Sequence, residues 1–219
     1  MKRILLLSAV CAAALAANAT LYTTNWNSGF ANSGLIPDGN LSGWSDTRNV
    51  TTMPAGMLQG VAVDLSLSSG WNGDLYAYLV HSSGFAVLLN QVGTPGLPFG
   101  YGAGTLNVTL ADGGSWNGNF ISGNIHSYGG GNASGYWNPD NPNLPANSLA
   151  SFLSTAPNGS WSLFIADLSS GGLTTVQSWG LQMDIVAVPE VETWVAAALA
   201  GAFGAFWLNR QIWGTKGRP

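Results

Sequence analysis

Charged side chains are scarce in this sequence of 219 residues, since only 7% are Asp, Glu, Lys or Arg. A typical globular domain carries about 25% charged residues. The few basic residues stand near the two termini, and Arg48 is the only one in between. Nucleic-acid binding needs a basic surface to neutralise the phosphates, so we expect no nucleic-acid partner.

Cysteine is almost absent, because Cys11 is the only one in the chain. A single cysteine makes no intrachain disulfide, and Cys11 lies in a segment that we predict is removed. The mature chain then has no thiol nucleophile and no thiolate metal ligand. Its stability must come from a hydrophobic core.

Long hydrophobic runs are confined to the two ends of the chain. Lys2 and Arg3 precede the apolar stretch from Ile4 to Ala17, and Ala17-Asn18-Ala19 is an A-x-A cleavage site before Thr20. This layout predicts a signal helix and signal peptide over residues 1–19, removed by signal peptidase. The alternative is an uncleaved anchor, for which the apolar stretch is short.

The second hydrophobic run extends from Trp194 to Leu208. As a helix it would be about 22 Å long, against a hydrocarbon core of about 30 Å, so a transmembrane helix needs its flanking residues as well. Arg210, Lys216 and Arg218 follow it and predict a membrane stop with a cytoplasmic C-terminus. The alternative is a buried helix of the domain.

Residues 20–187 predict a single all-β domain, a jelly-roll-like β-sandwich. Apolar residues alternate with polar or small ones, which is the period of a strand with one buried face. Asn72-Gly73 predicts a tight hairpin turn, and the Gly-, Asn- and Pro-rich stretch from Ala111 to Ala146 predicts long loops. The predicted inward-facing residues are Val61, Val63, Leu65, Leu67, Leu75, Ala77, Leu79, Leu106, Val108, Leu110, Trp161, Leu163, Ile165, Trp179, Leu181, Met183 and Ile185; a further strand covers Phe85 to Leu89.

The C-terminal segment, residues 188–219, resembles the PEP-CTERM sorting signal of bacterial surface proteins. Val188, Pro189 and Glu190 precede the apolar helix and the basic tail, in the order that the family uses. Val191 stands where the usual motif has a second proline. The resemblance implies sorting by an exosortase-type transpeptidase in a bacterium with an extracellular polysaccharide matrix.

The central domain resembles the P domain, also called P/Homo B, of proprotein convertases. The matching segments are Ile36-Pro37-Asp38, Gly73-Asp74-Leu75, the run from Asn158 to Leu163 followed by Asp167, and Ser178-Trp179-Gly180-Leu181. The resemblance implies a jelly-roll sandwich. In convertases this domain stabilises a separate serine protease domain, for which the present chain has no room.

No motif in the sequence indicates catalysis. The two histidines, His81 and His126, are predicted at a strand end and in a loop. No Gly-x-Ser-x-Gly elbow is present to hold a serine nucleophile. We therefore predict no catalytic residues and a protein that is not an enzyme, with a hydrolase as a minor alternative.

Calcium is the favoured ligand hypothesis, and no other cofactor is expected. Asp38, Asp74 and Asp167 lie among Asn and Gly residues in predicted loops, and calcium prefers carboxylate, amide and carbonyl oxygens. No D-x-D-x-D-G loop is present. The alternative is that Asp74 and Asp167 cap turns by accepting bonds from their own backbone.

Sugar binding is the second ligand hypothesis. Trp71, beside the predicted hairpin turn, and Trp137, in a Gly/Asn-rich stretch, are the tryptophans predicted to be exposed enough to stack on sugar rings. The alternative is that such rings fill the ends of the sandwich core.

These observations predict an exported, non-catalytic protein with a structural or adhesive role in the cell envelope or extracellular matrix. Its expected partners are signal peptidase, the sorting transpeptidase, the membrane and extracellular polysaccharide. A carbohydrate-binding module and an accessory domain for a separate serine protease are the alternatives.

Overall fold

The computed structural model describes residues 18–68, 70–82, 84–93, 102, 104–140, 148–187 and 198–204. The chain divides into two compact units, of which residues 19–187 form one. In the other unit, residues 198–204 are helical. Within these described ranges, no helix combines the length and the apolar character needed to cross a membrane. Almost all of the predicted signal segment lies outside the described residues, as do Val188, Pro189, Glu190, Arg210, Lys216 and Arg218.

The central unit is built from strands connected by loops and short 3-10 helices. The strands are β1 (Thr20–Trp26), β2 (Trp44–Val50), β3 (Gly56–Leu67), β4 (Leu75–His81), β5 (Gly84–Asn90), β6 (Leu106–Ala111), β7 (Ser115–Trp116), β8 (Asn119–Phe120), β9 (Ala133–Trp137), β10 (Gly159–Asp167) and β11 (Val176–Ala187). Most are rich in β-branched, aromatic and other apolar residues that suit a pleated, half-buried surface.

Two sheets carry the fold. The five-stranded sheet has the order β1-β11-β3-β6-β9 and the four-stranded sheet the order β2-β10-β4-β5, while β7 and β8 form a separate hairpin. All pairings are antiparallel except that of β6 with β9. The predicted all-β sandwich is confirmed.

The core lies between the two sheets and includes the residues that the alternating pattern selected, together with others such as Trp44 and Phe152. Leu65 of β3 and Leu79 of β4 are 1% and 0% exposed, and they belong to one cluster with residues of every long strand. Trp161 and Trp179 are fully buried in the same cluster. Burying a large side chain contributes about 1.5–3 kcal/mol, so this interior supplies the stability that the sequence does not obtain from disulfides.

The predicted hairpin at Asn72-Gly73 is wrong. Residues Asn72–Asp74 form a short 3-10 helix that carries the chain from β3 in one sheet to β4 in the other. Neither Asn72 nor Gly73 has a positive φ, which a type I′ hairpin turn requires at both positions. The alternating strands on either side face each other across the core instead of pairing.

The prediction of uninterrupted loops from Ala111 to Ala146 is also wrong in part. Strands β7, β8 and β9 lie in the described portion of that stretch. The Gly-containing sequence of β9 has weak intrinsic strand propensity, but it gains a complete row of partners from Leu106 to Leu110 of β6. Tertiary pairing therefore overrides the local signal.

Candidate functional site

One end of the sandwich brings together three loops that carry the predicted calcium ligands. Asp38 lies in the connection between β1 and β2, Asp74 ends the 3-10 helix before β4, and Asp167 is the last residue of β10. Asp167 is paired with Leu75 across the β4–β10 ladder. The strand register thus places Asp74 and Asp167 at the same edge of the four-stranded sheet.

Backbone hydrogen bonds tie these loops to one another. The Leu168 N–H donates to the carbonyl of Asp74 at 2.8 Å. The Gly171 N–H donates to Asp38 Oδ1 at 2.9 Å, and the Ser169 N–H donates to Asp167 Oδ1 at 3.2 Å. The turn-capping alternative therefore describes Asp167, which accepts a bond from the backbone two residues on, but not Asp74. Asp38 instead accepts its bond from a distant loop.

Asp74 differs from its two neighbours. The residue is only 2% exposed, and its carboxylate accepts no hydrogen bond from any described residue. Burial raises the pKa of Asp74, and the negative charge of Asp38 raises it further. A buried carboxylate without a partner is costly, so this position calls for a specific explanation.

Asp167 is as deeply buried as Asp74 but accepts a hydrogen bond. It is 1% exposed. Burial raises the pKa of Asp167, and the negative charges of Asp74 and Asp38 raise it further, whereas the hydrogen bond from Ser169 lowers it. The three carboxylates therefore act on one another through space. We call the region of Asp38, Asp74 and Asp167 the acidic loop end. Arg48, the only basic residue of the domain, is paired with Asp46. No basic side chain of the central unit therefore compensates the charge of the acidic loop end.

Two buried oxygens in these loops have no hydrogen-bond partner, and no feature of the sequence indicates either of them. They are Asn72 Oδ1, in the same 3-10 helix as Asp74, and Thr174 Oγ1, in the loop after β10. Both residues are fully buried. Like the carboxylate oxygens of Asp38, Asp74 and Asp167, they are hard oxygens, the kind of ligand atom that calcium prefers. Among the described residues, no three His, Cys, Asp or Glu side chains lie together closely enough to hold a metal ion.

Trp71 lies directly beside this acidic loop end. Its carbonyl accepts a hydrogen bond from the Asp74 N–H at 3.0 Å, and its side chain is 50% exposed. A Cβ atom on Gly172 would lie 3.0 Å from Trp71 Cδ1, so the glycine permits the indole to rest on the loop after β10. The structure thus brings a predicted stacking residue and the predicted calcium ligands to one place.

Trp137, unlike Trp71, does not lie at the acidic loop end. It lies on β9 opposite Leu110, whereas Ala133, at the start of β9, pairs with Leu106 near the acidic loop end. Four residues of strand separate these positions by about 13 Å. Its indole N–H donates to the Ser134 carbonyl at 2.9 Å, and the ring packs partly against the core. The two tryptophans do not form one platform, and a stacking role for either stays a prediction.

The histidines have the predicted locations. His81 ends β4, is 1% exposed and stacks on Trp161 with ring centroids 3.9 Å apart. Its two ring nitrogens lie 3.0 and 2.9 Å from the carbonyls of Ser160 and Ala156, so neither is free to act as a base. His126 Nδ1 lies 3.0 Å from Asp140 Oδ2, and no serine hydroxyl of the described residues bonds to its ring.

The sequence matches no protein-family model and no curated protein. Two solved structures resemble the fold. The crystal structure of the Aeromonas sobria serine protease with its chaperone ORF2 aligns over 78% of this chain with a TM-score of 0.46 and 16% identity. The structure of the A. sobria serine protease aligns over 76% with a TM-score of 0.44 and 15% identity.

The chain spans 27% of the length of each matched chain. At these identities and TM-scores, the similarity carries no information about activity.

Proposed function

We propose that the domain is a non-catalytic binding module whose acidic loop end takes up a calcium ion. The observation that carries the proposal is Asp74, a buried carboxylate with no hydrogen bond that faces two more carboxylates and no basic group. Native proteins pair buried charges or place them on metals. A calcium ion would offset the mutual repulsion of the three carboxylates and the cost of burying two of them, Asp74 and Asp167.

Asp38, Asp74 and Asp167 would hold the ion, with further oxygens supplied by loop backbone. These aspartates come from three separate connections, so the ion would join the segments before β2, before β4 and after β10. Since the three carboxylates do not yet converge, we expect binding to draw the loops together. Trp71, at the rim, would then be held in a defined position beside the ion.

Thermal unfolding of the purified protein tests this proposal. Calcium at 100 times its dissociation constant should stabilise the fold by about 2.7 kcal/mol, and EDTA should reverse the effect. The variant Asp74→Asn should lose the response. Asp184→Asn is the matched control, because Asp184 is a half-buried aspartate of β11 away from these loops. A melting temperature that is insensitive to millimolar calcium and to EDTA would refute the metal site.

A serine-protease accessory role is the second candidate. The specific observation in its favour is that three P-domain-like motif segments, Ile36-Pro37-Asp38, Gly73-Asp74-Leu75 and the one ending at Asp167, meet at the acidic loop end although they are far apart in sequence. Incubation with a secreted subtilisin-like protease of the same organism tests this role. A stable complex, or a longer protease half-life, supports it, and independent sedimentation of the two proteins contradicts it.

The cellular placement is also a proposal. Residues 1–19 would direct export, and Val188, Pro189 and Glu190 with the basic tail would direct sorting to the envelope or matrix. Mass spectrometry of the mature termini after cell fractionation tests both. Glu190→Ala should leave the precursor in the membrane fraction, while Glu192→Ala, two residues away, should be sorted as the wild type.

A further inference from the structure

The outer face of the five-stranded sheet contains a polar cavity that is separate from the acidic loop end. Its volume is about 310 Å³, which lies at the lower limit for ligand sites. The lining residues are Asn25, Asp64, Leu65, Ser66, Asn107, Val108, Thr109, Gly135 and Ser178. Leu65 and Val108 point into the core, so hydroxyl, amide and carboxylate groups dominate the open surface. We call this cavity the polar trough.

Strand register explains how the polar trough forms. One row of outward-facing residues crosses all five strands in the order Asn25, Gly180, Asp64, Thr109, Tyr136. The neighbouring row contains Ser178, Ser66, Asn107 and Ser134. Adjacent strands are about 4.8 Å apart, so the two rows present polar groups at regular spacing along a stretch of about 15–20 Å.

Small residues deepen the trough and an aromatic residue borders it. Gly180 has no side chain between Asn25 and Asp64, and a Cβ there would collide with β1. On one side, the β7–β8 hairpin turns at Asn117 and Gly118, which have φ values of 46° and 80°, and lays Trp116 across the sheet. The Trp116 indole N–H donates to Gln182 Oε1 at 2.7 Å, which fixes this wall.

Four side chains in the trough have no hydrogen-bond partner among the described residues. Asn25, Ser66, Asn107 and Ser178 form no side-chain hydrogen bond to any described residue. Asp64 is held in place, because Thr109 Oγ1 donates to it at 2.6 Å and Gln182 Nε2 at 2.8 Å. The trough therefore combines a fixed acceptor with amide and hydroxyl groups that are free to bond a ligand.

From this arrangement we propose that the polar trough binds a neutral oligosaccharide segment. Hydroxyl and amide groups bond sugar hydroxyls as donors and acceptors. The lining has no basic side chain, which disfavours phosphorylated or acidic polymers, and little apolar surface, which disfavours lipid or a peptide helix. The proposal is independent of calcium binding and places the sugar away from Trp71 and Trp137.

Backbone NMR titration of the purified protein with neutral hexasaccharides of glucose, mannose and galactose tests the proposal. We expect at least one of them to shift amide signals of β3, β6 and β11 around Asp64, Asn107 and Ser178, with EDTA present throughout. Asn107→Ala should weaken that binding about threefold to tenfold, as expected for the loss of one hydrogen bond. Asn49→Ala is the matched control, because Asn49 is an exposed asparagine on β2 of the other sheet.

Three results would overturn the proposal. One is the absence of shifts with every hexasaccharide at millimolar concentration. Another is a set of shifts confined to Trp71 and its loop, which would assign sugar binding to the acidic loop end. The third is tighter binding of an oligogalacturonate than of any neutral sugar. Because EDTA is present in every titration, failure of the calcium proposal and failure of this one are distinguishable.

Discussion

Asp46 and the aspartates of the acidic loop end differ in how their negative charge is compensated. Asp46, on β2, accepts hydrogen bonds through Oδ2 from Arg48 Nε at 2.6 Å and from the Trp179 indole N–H at 2.7 Å. Arg48 also donates to the Ser28 carbonyl at 2.8 Å and lies over the ring of Phe30. Asp74, at the acidic loop end, receives none of these contacts although it is more deeply buried, at 2% exposed against 10% for the side chain of Asp46.

Under the calcium proposal, this difference distinguishes a carboxylate that stabilises the fold from carboxylates that bind a ligand. A chain with so few charged residues uses its one internal arginine where a buried carboxylate would otherwise destabilise the fold. It leaves three carboxylates uncompensated at a loop end, where a ligand can reach them. Uncompensated buried charge is concentrated at functional sites. The predictions below test whether the two groups differ in this way.

Asp46→Ala should have the largest effect on stability. It leaves the Arg48 guanidinium and the buried Trp179 indole without their acceptor, and breaking such a pair costs about 3 kcal/mol. Urea denaturation measures the loss. Asp184→Ala is the control, since Asp184 has no ion pair among the described residues, and should cost less than about 0.5 kcal/mol. Equal losses in the two variants would mean that the Asp46 pair is not structural.

His81→Ala should have the next largest effect. Of the two carbonyls that face its ring nitrogens, those of Ser160 and Ala156, one loses its N–H donor, and Trp161 loses a stacking partner. We expect a loss of about 2 kcal/mol. His126→Ala is the matched control, because the side chain of His126 is 43% exposed and its ion pair with Asp140 contributes less than about 1 kcal/mol.

Asp74→Asn should have a smaller effect of opposite sign. In the folded protein the pKa values of Asp74 and Asp167 are raised above the usual 3.8. These carboxyls therefore favour folding most when protonated, below pH 3.8, and their contribution is lost as the pH rises through the raised values. Without calcium, removing the charge at position 74 should stabilise the domain at pH 7 by up to about 1 kcal/mol.

The measurement is the unfolding free energy of wild type and variant between pH 3 and pH 7, in EDTA and in calcium. In EDTA the difference should grow with pH, and in calcium the wild type should become the more stable protein. Asp112 and Asp140, whose pKa values burial also raises, are present in both proteins and cancel. A difference that does not change with pH would show that Asp74 carries no extra cost.

The sequence predicted the core better than the connections. Alternation in β3, β4, β10 and β11 is sufficient to place their inward-facing residues, because one slip of register would expose the whole set. The change of sheet at Asn72-Gly73 could not be predicted in this way. Asn-Gly favours a hairpin locally, and only the packing of β3 and β4 on opposite sides of the core decides against one.

The candidate sites were predictable to different degrees. Asp38, Asp74 and Asp167 could be proposed from residue type, but their location at one end of the sandwich depends on how three distant loops are tied together. The residues of the polar trough occupy the outward-facing positions of the same alternating pattern that predicts the core. Asp64 and Ser66 are the outward-facing residues of β3, and their alignment with Asn107 and Ser178 follows from strand order, which alternation does not determine.

Trp71→Ala should have the smallest effect on stability and should distinguish the acidic loop end from the core most sharply. Half of the residue is exposed to solvent, so we expect a loss below about 1 kcal/mol, whereas Trp161→Ala, in the core, should cost about 3–5 kcal/mol. If Trp71 stacks on sugar beside a bound calcium ion, polysaccharide should quench tryptophan fluorescence of the wild type in calcium but not in EDTA. Trp71→Ala should remove that calcium-dependent quenching, and Trp137→Ala should retain it. If the quenching persists in Trp71→Ala, the stacking residue does not lie at the acidic loop end. The carboxylates there would then have only the proposed metal-binding role.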